Sequence, residues 1–297
     1  VAKRMYSHYE ANALIARFND LANEKTRKTR KTLGILMGVH AAIIVTMIVC
    51  VDWQESGDVM IPLTVFMGVA LVAFLVFFLV TKVVSQNKET YRFLYAEIYK
   101  KINEDRDLSL YYDTPKKTDN RFVFEGSLFP KASTVYVLRK VAGHTEAKNA
   151  FVLYDCLLIT GGGQYQQTHL NGIYLYFKIP VDSTIQLRTT GKPQIKKHKF
   201  MKVATENEFS VYKADNAQLS HFERLLIQKT KELKMKLQAK QMYVSISDNE
   251  MHLAYQSKNI KRSQKRLDPT AVNEIYHFFV SELQIIDECV NLTEYLN

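Results

Sequence analysis

The sequence predicts an α+β protein: a two-helix transmembrane hairpin followed by a cytosolic domain with a mainly antiparallel sheet and two packed helices. Three observations lead there. Two long stretches near the N-terminus carry no formal charge. A series of alternating, β-rich segments follows between residues 133 and 213. The chain then closes with a helix, a hairpin and a second helix. The expected organisation is a basic N-terminal segment over residues 1–32, the hairpin over 33–84, a stalk helix over 85–106, and the α+β domain over 107–297.

Before the hairpin, "EANALIARFNDLANEKTRK" places Leu14, Phe18 and Leu21 on one helical face. The run "KTRKTRK" then holds Lys25, Arg27, Lys28, Arg30 and Lys31. Nineteen uncharged residues follow from Leu33 to Val51, and twenty-three from Val59 to Thr81. A helix rises about 1.5 Å per residue, so about twenty residues cross a hydrocarbon core roughly 30 Å thick. Gly34, Gly38, Gly68 and Ala70 are small enough for close helix approach, and Pro62 suits a first helical turn. His40 is the ionisable exception within the first stretch, read as a neutral imidazole hydrogen-bonded to a neighbour.

The intervening loop "DWQESGD" has three acids and no Lys or Arg, and Trp53 in it suits the headgroup level. Cations flank both stretches, with Lys82 and Lys88 following the second. The positive-inside rule then places both termini and the main domain in the cytoplasm of a multi-pass inner-membrane protein. The residues marking this topology are Lys25, Arg27, Lys28, Arg30, Lys31, Lys82 and Lys88.

After the hairpin, "NKETYRFLYAEIYKKINED" carries a stripe of Tyr91, Leu94, Tyr95, Ile98 and Ile102, able to pair with the N-terminal stripe. A connecting segment runs from about Asp107 to Lys131, with a short strand at "RFVFEG". Longer strands are expected at "STVYVLRKV", "FVLYDCLLIT" and "GIYLYFKIP", and shorter ones at "STIQLRT", "FMKVAT" and "EFSVYKA". Gly161–Gly163 stands between two strands rather than before a helix, so it reads as a hairpin turn and not a phosphate loop. A helix is expected over 216–238, capped by Asp215 or Asn216, with Phe222, Leu225, Leu226, Leu233 and Leu237 on its apolar face. A hairpin turning at Asp248-Asn249 follows. The closing helix begins with Asp268 as cap and Pro269 as first residue. Its expected buried stripe is Ile275, Phe278, Phe279, Leu283 and Ile286.

The net charge of +10 suits an acidic partner: nucleic acid, an anionic lipid surface or an acidic protein. The three cysteines, Cys50, Cys156 and Cys289, lie far apart and read as reduced, buried thiols. The eight histidines form no zinc-ligand spacing, and neither a nucleophile elbow nor a dinucleotide fingerprint occurs. Asp248 and Glu250 read as turn residues rather than a catalytic pair. No catalytic residue, cofactor or metal is therefore expected. The basic clusters offer contacts to an anionic surface through Lys196, Lys197, Lys199, Lys261, Arg262, Lys265 and Arg266, at about 1 kcal/mol per cation near an anionic leaflet. No nucleic-acid-binding motif accompanies them, so a nucleic-acid partner is not expected.

The stretches "NEFSVYKADNAQLSHFERLL" (Asn207–Leu226), "MYVSISDNEMHLAYQS" and "NGIYLYFKI" resemble an uncharacterised bacterial two-pass membrane-protein family, a domain of unknown function associated with LemA-type proteins. The Gly161–Gly163 loop and the basic final loop depart from that family's pattern. The resemblance implies a membrane hairpin with a cytosolic α+β domain and no known catalytic residues. The expected function is an anchored binding or scaffold domain at the inner membrane, its partners the bilayer, anionic inner-leaflet lipids, and a protein or second copy of the chain. The alternative is a membrane-bound ligand sensor or enzyme with a site in the α+β domain.

Overall fold

The computed structural model describes residues 5–50, 72, 90–115, 123, 126–129, 134–146, 148–161, 165–179, 183–193, 199–215, 218–257 and 267–291. Two compact units emerge. One holds residues 6–95 with 267–269, and the other holds 1–5, 96–266 and 270–297.

In the first unit, α1 runs unbroken from His8 to Cys50. Ser7 and Glu10 open it reciprocally: the Glu10 backbone N–H donates to the Ser7 hydroxyl, and the Ser7 N–H donates to the Glu10 carboxylate at 2.8 Å. The cationic run lies on this helix, where Lys28 pairs with Glu24 at 2.6 Å and the Thr26, Thr29 and Thr32 hydroxyls donate to carbonyls four residues back. Phe18 meets Tyr91 edge to face at 5.6 Å, as the two expected stripes allow.

Among the described residues, no helix is long and apolar enough to cross a membrane. This corrects the expected two-helix transmembrane hairpin, and with it the multi-pass inner-membrane placement and the membrane-anchored function. The first expected span is the tail of a 43-residue helix that is charged through Lys31. The second expected span lies outside the described residues except for Val72, and Lys82 and Lys88 lie outside them too. His40 is half-buried on α1.

The second unit is built on a nine-stranded antiparallel sheet in the order β1-β2-β3-β4-β9-β8-β5-β7-β6. The strands are β1 (Tyr111–Asp113), β2 (Thr134–His144), β3 (Ala150–Thr160), β4 (Gln167–Lys178), β5 (Ile185–Arg188), β6 (Met201–Glu206), β7 (Phe209–Lys213), β8 (Ala239–Ser247) and β9 (Glu250–Ser257). Three helices accompany them: α2, with described residues 90–106, whose first turns belong to the other unit; α3 (His221–Lys236); and α4 (Pro269–Asn291).

Strand alternation sorts the side chains into two unlike faces. One cross-strand row reads Val141, Leu153, Leu175, Leu253, Val244, Leu187 and Val211, aliphatic throughout and buried. The helices anchor on this face. Arg139 of β2 forms two hydrogen bonds of 2.6 Å to Glu282 of α4, and Lys213 of β7 meets Glu223 of α3 at 3.0 Å. Tyr99 of α2 donates its ring to a stack with Phe279 of α4, centroids 4.6 Å apart, and its hydroxyl accepts from Arg139 at 2.7 Å.

The opposite face is different. Its rows read Tyr154, Tyr174, Ala254, Tyr243, Arg188 and Ser210, then Tyr176, His252, Ser245, Gln186 and Tyr212. Residues 126–129 cross it as a strap, and the helical Val123 packs beside them. Of the short strand expected at "RFVFEG", only Val123 and Gly126 are described: Val123 is helical and Gly126 opens the turn and bends of residues 126–129. Side chains of the sheet hold it, with Gln186 Nε2 donating to the Ser127 carbonyl at 3.4 Å and Arg188 Nη1 donating to the Leu128 carbonyl at 2.8 Å. Val123, Leu128 and Phe129 close a buried cluster with Val137, Cys156, Leu158 and Leu170.

Several expected details hold. Asp248 and Asn249 turn the β8–β9 hairpin with φ of 55° and 60°, the left-handed pair a two-residue hairpin requires. Gly161 has φ of 75° at the end of β3, while Gly162 and Gly163 lie outside the described residues. Cys156 and Cys289 are free and buried. Pro269 is the first residue of α4. Other details shift. The cap of α3 is Ser220, in a reciprocal box with Glu223, five residues beyond Asp215. Phe222 and Phe278, expected in apolar stripes, are exposed. The short β1 lies inside the segment read as a connection.

Candidate anion-binding site

Arg188 ends β5, a strand whose four residues are all buried. Ile185 and Leu187 face the aliphatic side; Gln186 and Arg188 therefore face the strap. Arg188 is only 5% exposed, and its guanidinium is satisfied by neutral groups. Nη1 donates to the Leu128 carbonyl at 2.8 Å and to Gln186 Oε1 at 3.0 Å, and Nε donates to the Thr190 carbonyl at 3.4 Å. The flat face of the group lies 5.0 Å from the Tyr243 ring centre, its direct cross-strand partner. Among the described residues no carboxylate pairs with it, and Nη2 makes no hydrogen bond. Burial lowers its pKa to about 10, so it remains a cation at neutral pH.

Arg188 opens into a cleft of about 690 Å³. β3 and β4 supply Thr160, Gln167, Thr168 and His169; β5 and the turn after it supply Arg188, Thr190 and Lys192; β8 supplies Gln241 and Tyr243. The neutral polar groups are already ordered. Thr160 Oγ1 and His169 Nε2 are 2.7 Å apart. The Tyr243 hydroxyl bridges Thr190 Oγ1 at 2.9 Å and Gln241 Oε1 at 3.0 Å. Burial holds His169 below the ordinary imidazole value, which keeps it neutral near pH 7. Among the described residues the lining thus contains two cations and no acid.

A second polar group lies beside the strap. His252 Nδ1 and the Tyr174 hydroxyl are 2.9 Å apart; His252 Nε2 and Glu250 are 3.4 Å apart; the Tyr176 hydroxyl donates to Glu250 at 2.9 Å. These bonds hold Glu250 below the usual carboxylate range. His252 is 1% exposed beneath Gly126.

Lys25, Arg27, Lys28, Arg30 and Lys31 lie along α1, and Lys199 is exposed before β6. Lys196, Lys197, Lys261, Arg262, Lys265 and Arg266 lie outside the described residues. On α3, Lys229, Lys234 and Lys236 are taken up by Glu232, Glu208 and Glu288. Sequence reasoning passed over Arg188, His169 and Tyr243. The available signal was "STIQLRT", where an arginine shares a strand face with Gln186 while its neighbours are aliphatic.

Among the described residues, no group of three or more His, Cys, Asp or Glu side chains stands ready to hold a metal ion. No protein-family model, curated protein or solved structure matches the chain. The resemblance noted in the sequence therefore rests on its local motifs alone.

Proposed function

We propose that the protein is a binding module whose cleft between β3–β4 and β5–β8 captures a ligand by an anionic group. The observation that carries this reading is Arg188: a buried cation, held by neutral acceptors and an aromatic face, with Nη2 left without a protein partner among the described residues. A buried charge is costly without an opposite charge, and proteins ordinarily supply one internally, as Glu282 does for Arg139. At Arg188 the sheet supplies everything except the anion. With Nη1 and Nε taken, Nη2 keeps its N–H groups for an oxygen of a carboxylate or phosphate. The neutral His169–Thr160 pair and the Tyr243 hydroxyl chain offer hydrogen bonds without adding an acid that would repel such a group.

Titration calorimetry of the full chain with inorganic phosphate and with acetate tests the reading. Saturable binding of at least one anion, lost in Arg188→Met while Lys199→Ala binds normally, is expected. Identical heats for the parent and Arg188→Met would remove Arg188 as the anchor.

A further inference from the structure

The remainder of the cleft narrows the chemistry of the ligand. Away from Arg188 the lining is hydroxyl and amide: Thr160, Thr168, Thr190, Gln167 and Gln241, with the neutral His169. Such groups both donate and accept, which suits ligand hydroxyls that do the same. They are spaced around a volume of about 690 Å³, far more than a lone phosphate or acetate fills. The two aromatic residues give the ligand no stacking surface. Tyr243 is 4% exposed and already carries the Arg188 guanidinium on its ring. Phe129 is 2% exposed and packs edge-on against Tyr243 at 5.2 Å. Among the described lining residues a nucleotide base would find only the His169 imidazole to lie against, already held at Thr160, and a long apolar chain would leave the threonine and glutamine groups unpaired.

Resting on the anion-capture reading, we propose that the cleft takes an anionic polyol, a sugar-sized hydroxylated ligand with one phosphate or carboxylate seated on Arg188 Nη2. Lys192, exposed at the cleft rim, adds a second positive charge on the side from which the anion enters. Thr160, Thr190 and Gln241 then meet hydroxyls rather than the charged end.

The test is calorimetry on the full chain with five probes: inorganic phosphate, glucose 6-phosphate, glucuronate, glucose and adenosine monophosphate. Glucose 6-phosphate or glucuronate should bind at least 10-fold more tightly than inorganic phosphate, and which of the two leads tells phosphate from carboxylate. Arg188→Met should weaken that ligand roughly 10- to 100-fold, the loss expected for a charge-assisted hydrogen-bond pair. Thr160→Val should weaken the sugar ligand while leaving inorganic phosphate unchanged. Denaturation midpoints of both variants confirm that each is folded before its affinity is read. Phosphate and sugar phosphate of equal affinity, with Arg188→Met abolishing both, would overturn the polyol inference and leave anion capture standing. Adenosine monophosphate binding more tightly than either sugar ligand would also overturn it. Failure of all five probes would overturn both.

Discussion

The Arg188 guanidinium lies over the Tyr243 ring at 5.0 Å, directly across the ladder between β5 and β8. The sheet's other buried arginine, Arg139, also lies over a ring, that of Phe279 at 4.7 Å. There the likeness ends. Arg139 is neutralised by Glu282 with a two-pronged contact, while Arg188 faces a cleft. The two arginines point to opposite faces, and the contrast separates structure from binding.

Arg139 and Glu282 tie β2 to α4, and both are 4% exposed at the side chain. Burial pushes the Glu282 carboxyl up, while Glu282 holds Arg139 well above the ordinary arginine value. Leaving either charge alone is costly. Glu282→Ala should destabilise the protein by about 3–5 kcal/mol in urea unfolding. The double replacement Arg139→Met with Glu282→Leu should cost far less than the sum of the single ones. Additive single effects would show that the two do not act as a pair.

Gly126 holds the strap close to the sheet. A Cβ there would stand 2.4 Å from His252 Cγ, and His252 is fixed by Tyr174 and Glu250. Gly126→Ala should therefore cost about 1–3 kcal/mol through overpacking. It should also weaken ligand binding, because the Leu128 carbonyl positions Arg188. Gly38 has open space around its Cα, so Gly38→Ala should be stabilising by roughly 0.5–1 kcal/mol in α1. Equal unfolding midpoints for the two variants would contradict this assignment of the strap.

His169 makes stability depend on pH. Burial lowers its folded pKa below the ordinary 6.5, so it resists protonation when folded. As pH falls through about 6.5, the unfolded chain gains a proton that the folded chain refuses, and stability falls until the folded pKa is passed. Chemical denaturation at pH 7.5 and 5.5 should show this loss, and His169→Gln should reduce it. An unchanged pH slope in the variant would assign the dependence to other groups.

The sheet was legible in the sequence because its strands alternate and its hairpin turns carry their own signals. "SDNE" fixed the β8–β9 turn through two residues that tolerate positive φ, and the structure places Asp248 and Asn249 there. The strap was not legible. It begins at the last residue of "RFVFEG", a segment of strand composition, and the Ser127 and Leu128 carbonyls that follow are held by Gln186 and Arg188, some sixty residues away. Local pattern carries no trace of such a partner. The cap of α3 was misplaced for a simpler reason: Ser220 with Glu223 three residues on is a complete capping box, stronger than Asp215 or Asn216 alone. The membrane expectation came from counting uncharged residues. It ran ahead of the described helix, in which the same residues continue a long charged one. Arg188 was hidden because the sequence drew attention to clusters of cations. A single buried arginine becomes conspicuous only when its neighbours are known to lack an acid.

The central claim is that Arg188 receives an anion, and the guanidinium itself reports on it most directly. The Arg188 Nε–Hε resonance, assigned by its loss in Arg188→Lys, can be followed by NMR while the full chain is titrated with glucose 6-phosphate. A saturable shift of that resonance, absent with glucose, is the predicted result. An Arg188 signal that stays fixed through the titration would contradict the account.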